Sequence, residues 1–181
     1  MQAPRIVNIL TAIVLAGMAA SAAPNTPAVG EPAGSPAANE ALDLCANTPE
    51  RPTAEHRAEF ERGIRLAEAA IAADDRDAKA HFALFCNLAK LTHLNGFSLN
   101  SLMAVFRLHR EIDRTLELQP GYVDALTAKG AFVLNLPRLL GGDPREAERL
   151  LRQALELDPA NATARRFHTE AVDAMGTRPR P

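Results

Sequence analysis

From Thr53 to Gly176 the chain is a succession of stretches in which apolar residues recur three and four positions apart, each ending at a recognisable stop. That period belongs to amphipathic helices and leaves no room for alternating strands. The first stretch spans about 54–73, with Phe60, Ile64, Ala67 and Ile71 on one face, and the cluster Asp74, Asp75, Arg76 and Asp77 ends it and caps the next. The second, about 78–94, carries Phe82, Phe85, Leu88 and Leu91 and stops at Asn95-Gly96; Ser98 can cap the third. The third, about 99–118, carries Leu102, Val105, Leu108, Ile112 and Leu116 and stops at Gln119-Pro120-Gly121. The fourth spans about 123–136 and is broken by Pro137. Asp143-Pro144-Arg145-Glu146 then combines an N-cap carboxylate, proline at the first helical position and Glu three residues after the cap, so a fifth helix runs to Leu157. Asn161 can cap a sixth that ends at Gly176. Six helices are predicted.

Composition says what fills them. Hydrophobic residues make up 47% but aromatics only 4%, and Trp is absent, so Leu and Ala supply the core. The formal net charge is −2 with no basic run able to neutralise a row of phosphates, which argues against nucleic acid as a partner.

Residues 1–22 hold one Arg, an apolar stretch from Ile6 to about Ala20, and the small residues Ala19, Ala20, Ser21 and Ala22. This is the pattern of a secretory signal peptide cleaved near Ala22, with a periplasmic or secreted product. The apolar run is short for a permanent span, so contact with a membrane is expected only through the export signal. Met18 stands where a lipobox would need its Cys. Residues 23–39, rich in Pro, Gly and Ala, read as a disordered tether, the helical domain as 40–176, and 177–181 as a tail.

The motifs of known chemistries are missing: no nucleophile elbow, phosphate-cradling glycine loop, dinucleotide fingerprint or zinc-protease helix occurs. No two of His56, His81, His93, His109 and His168 lie three or four apart as a helical metal pair requires. His93 and His109 could approach across a hairpin, but partly buried or surface histidines are the simpler reading. Asp74, Asp75 and Asp77 lack the glycine and closing Glu of a calcium loop and are explained by helix capping. No catalytic residue, metal or cofactor is therefore expected, and the chain reads as a non-enzyme. Export makes oxidation possible for Cys45 and Cys86, as one bridge or as two separate buried thiols.

Superposing the helices exposes a repeat. Glu117-Leu118-Gln119-Pro120 and Glu156-Leu157-Asp158-Pro159 close successive hairpins, with Ala147, Leu151 and Ala154 before the second and Leu126 and Gly130 after the first. In these positions the chain, from about 54 to 175, resembles the tetratricopeptide superfamily, whose second helix packs small, large, small and whose first helix carries a close-approach glycine. The terminators at 75, 120 and 159 lie 45 and 39 residues apart, against a family period of about 34. The insertion Pro137-Arg138-Leu139-Leu140-Gly141-Gly142-Asp143 is similar to one in the T-component family of TRAP transporters and in regulators of microtubule dynamics. The resemblance implies an all-α fold, a short right-handed superhelix of antiparallel helix pairs with a concave groove. By the family's register the groove is lined by Lys79, Phe82, Cys86 and Lys90, then Asp124, Thr127 and Asn135, then Arg166 and Glu170. It implies a scaffold that holds a peptide or partner protein there; the alternative is a ligand-binding accessory protein of a TRAP-type transporter, recognised by a continuous apolar channel.

Overall fold

A computed structural model describes residues 29–48, 52–96 and 99–176, with the side chains of 99–101 excepted. The predicted signal segment 1–22, residues 23–28 of the tether, the Ser98 cap and the tail 177–181 lie outside the described residues. Among the described residues the fold is all-helical, without strands. In chain order the helices are α1 (Pro36–Ala46), α2 (Arg57–Ala73), α3 (Ala78–Asn95), α4 (Leu99–Leu118), α5 (Val123–Asn135), α6 (Pro144–Leu157) and α7 (Ala162–Gly176). Short 3₁₀ turns at Ala54–His56 and Arg138–Leu140 precede α2 and α6.

The caps work as their chemistry requires. Asp77 accepts from the Ala80 amide at 3.0 Å, Asp143 from Arg145 at 2.9 Å with Pro144 in the first turn, and Asn161 from Ala164 at 2.9 Å. Gly96 closes α3 at a φ of 69°, a left-handed value that favours glycine. The six expected helices become α2 to α7, and α1 is a seventh.

Helix α1 corrects the tether boundary at residue 39 and the start of the folded part near Glu40. Ser35 caps it by accepting from the Ala38 amide at 3.2 Å, and Pro36 occupies the first turn, where its missing N–H costs nothing. Its apolar face is nearly all alanine. Ala38 packs with Ala70 and Ala80, and Ala41 with Ala67, Ala83 and Leu84, so α1 lies close against α2 and α3. A second hydrophobic body joins α5, α6 and α7 and takes in Phe82, Phe85 and Ala89 of α3 and Val105, Leu108 and Ile112 of α4. Aromatic contacts tie α3 into it: Phe82 meets Tyr122 edge-on at 4.8 Å, and Phe85 meets Phe132 at 5.6 Å.

Two glycines mark backbone approaches too close for a methyl group. A Cβ on Gly130 would lie 2.6 Å from Leu151 Cγ, and one on Gly63 would lie 2.3 Å from Asn87 Oδ1. In the 137–143 turn, Gly141 has a φ of 91° and the Gly142 amide donates to the Pro137 carbonyl at 3.0 Å. The Asp143 amide donates to Val133, and His109 Nε2 sits 3.0 Å from the Leu140 carbonyl, so the insertion is held against α4.

Candidate functional site

The register positions on α3 form one face, and the chain covers that face itself. The Lys79 ammonium lies 2.7 Å from Glu31 and donates to Asn39 Oδ1 at 2.8 Å. At the start of the same helix, the Ser35 amide donates to Asp77 Oδ2 at 2.8 Å. Asn87 donates to the Ala41 carbonyl at 2.8 Å in the space that Gly63 leaves open. Cys86 is disulfide-bonded to Cys45 with a Cα separation of 6.1 Å, inside the range such a bridge spans. Lys90 donates to the carbonyl of Cys45 and, at 3.3 Å, to that of Thr48, and so satisfies the carbonyl end of α1. Burial pulls the Lys90 ammonium down to about 8.

Lys79, Phe82 and Lys90, expected to line an open groove, are therefore buried. The reason is the helix that the tether boundary left out: residues 29–48 lie across α3, and Phe82 points into the core against Tyr122 and Phe85. The strap continues to α5, where the Val123 amide donates to the Val29 carbonyl at 3.2 Å and Gln119 donates to Gly30 at 3.0 Å.

The later register positions differ in exposure. Asp124 is half-buried; burial first, and then the charges of Glu31 and Asp158, push its carboxyl up to about 6. Thr127 is buried and its hydroxyl has no hydrogen-bond partner among the described residues. Asn135 is half-buried and donates to Ala131 in its own helix at 2.8 Å. Only on α7 is the face exposed, where Arg166 and Glu170 lie 3.5 Å apart and the Arg166 guanidinium sits 4.3 Å from the Phe167 ring.

A second feature escaped the sequence reading. Between α2, α3 and α4 is a cleft of about 600 Å³. At its floor His81 Nδ1 lies 2.8 Å from Glu111 Oε2, and Nε2 lies 3.1 Å from the Asp75 carbonyl. Both ring nitrogens thus face acceptors, which only the doubly protonated ring can satisfy. Burial works against that charge, but the Glu111 hydrogen bond, the Asp75 carbonyl and the charges of both outweigh it and raise the His81 pKa. Burial likewise raises Glu111, and the His81 and Arg110 contacts outweigh it and hold the carboxylate ionised. The walls are further ion pairs, Arg107 with Glu68 and Arg114 with Asp75 and Glu117. With both nitrogens engaged, His81 is no free base, and the lining offers no Ser, Cys or Lys nucleophile. Among the described residues no group of three His, Cys, Asp or Glu is placed to hold a metal. The sequence signal for the pair was weak: His81 and Glu111 are 30 positions apart on different helices.

Set against models of known protein families the chain matches none, and no curated protein sequence matches it.

Proposed function

We propose that the chain is an exported, tetratricopeptide-like module that binds a peptide or partner protein on the face formed by the first helix of each pair. In this reading α1 with α2, α3 with α4 and α5 with α6 are three pairs, and α7 closes the array. The earliest pair is then the worn unit whose terminator is Asp75, with α1 as its first helix. The observation that carries the proposal is how α3 grips residues 29–48. Lys79 and Lys90, at groove-register positions, with Asp77 and Asn87 beside them, hold an extended strap and a helix by an amide, carbonyls and polar side chains. A face with that chemistry suits recognition of a peptide main chain. Its unoccupied part is at the α7 end, where Arg166 and Glu170 stand exposed and Asp124 and Asn135 are half-buried. The Cys45–Cys86 bridge supports an oxidising compartment. The cleft between α2 and α4 is lined by ion pairs and gives no support to an apolar ligand channel.

Affinity capture from envelope extract tests this, with the chain from Ala23 onward beside an Arg166→Glu, Glu170→Lys variant. These side chains are exposed, so the variant keeps its fold. A partner held by the parent and lost by the variant is the expected result. Equal capture by both would end the groove assignment.

A further inference from the structure

Three large apolar side chains stand in solvent near the junction of α4 and the 138–140 turn. Met103 is 67% exposed and Phe106 58%, one turn apart on α4, and Leu139, at the tip of the 138–140 turn, is 93% exposed. The two sites adjoin through His109: it is one turn after Phe106, its Nε2 lies 3.0 Å from the Leu140 carbonyl, and a Cβ on Gly141 would meet it at 2.9 Å.

The polar surroundings are mainly basic, with Glu68 of α2 paired to Arg107. Residues 102–110 contain Arg107 and Arg110 and no carboxylate, and 136–142 contain Arg138 and no carboxylate. The nearest acids on α4 are already matched, Glu111 by His81 and Arg110, and Asp113 by Lys129 at 2.8 Å. Arg110 and Arg138 are exposed.

We propose that this patch docks on an anionic lipid surface, with Met103, Phe106 and Leu139 entering the headgroup layer and Arg138 meeting lipid phosphates. The shape favours lipid over a folded partner. The apolar groups protrude singly from a helix flank and a turn tip, which a fluid interface accommodates, whereas a protein would need a matching pocket for each. Cations beside them add attraction to anionic headgroups that salt weakens. The site is separate from the α7 face, so the Arg166→Glu, Glu170→Lys variant keeps vesicle binding whatever becomes of the groove reading.

The test is co-sedimentation of the chain from Ala23 onward with vesicles of phosphatidylcholine alone or mixed with phosphatidylglycerol, at low and high salt. Phe106→Ser with Leu139→Ser is one variant, and Arg138→Gln, at a single exposed position, is a second should the first fail to fold by circular dichroism. The expected result is binding to the anionic vesicles only, falling with salt, weakened about tenfold or more by the serine pair, and measurably weakened by Arg138→Gln. Absence of binding to anionic vesicles, undiminished binding by both variants, or stronger binding to soluble polyglutamate than to vesicles would overturn the proposal.

Discussion

His81 and Glu111 form an ion pair whose side chains are each 5% exposed, and such a pair makes stability depend on pH in a defined direction. The folded His81 pKa is raised, so its contribution is complete below the unfolded value near 6.5 and is lost as pH rises through the folded value. The folded Glu111 pKa is lowered, so its contribution is present above the unfolded value near 4.3 and is lost as pH falls through the folded value. Thermal melts should therefore give the largest gap between parent and His81→Ala at about pH 5–6.5, about 3 kcal/mol for loss of one partner of a buried pair. A gap unchanged from pH 4 to pH 9 would contradict the ion pair. Gly130→Ala should cost about 1–3 kcal/mol by denaturant titration, because its methyl group would need the space of Leu151 Cγ; an unchanged midpoint would mean that α5 and α6 do not approach so closely. Gly130 was expected as a close-approach glycine from the tetratricopeptide resemblance, and its place against Leu151 fits that expectation. Gly63 was not legible, since its need for space comes from Asn87, 24 positions on, and nothing in the local sequence marks that contact.

At the scale of elements, helices α2 to α7 follow from periodicity and stop signals, because in each a strong apolar stripe meets a capping residue or a proline. Helix α1 broke that rule. Ser35-Pro36 is the same kind of start as Asp143-Pro144, but the stripe behind it is built from Ala38, Ala41 and Cys45, too small to register against a Pro- and Gly-rich background. Its placement depends on long-range contacts: the disulfide, Asn87 to the Ala41 carbonyl, and Lys90 to its carbonyl end. The bridge closes a loop of 41 residues, and removing it with Cys45→Ala, Cys86→Ala should cost about 4 kcal/mol on the chain-entropy estimate. Hydrogen exchange after reduction should then speed up first in α1, with the α6 and α7 amides still protected. Uniform loss of protection across all helices would show that α1 is no separate unit.

For the whole molecule, one added helix changes which surface is open. Lys79, Phe82 and Lys90 share one face of α3, yet none of them is open: Lys79 and Lys90 are covered by residues 29–48, and Phe82 packs against Tyr122 and Phe85. Burial of this kind depends on where a segment 40 positions away comes to rest, which periodicity does not encode. Under the proposed function, the part of that face left for a partner is the α7 end, where Arg166 and Glu170 are exposed. The most direct measurement is photo-crosslinking in cells with a crosslinker placed in turn at Glu170 and at Lys79. A discrete intermolecular adduct is expected from position 170 and none from position 79. Adducts from position 79, or from neither position, would contradict a partner-binding face at α7.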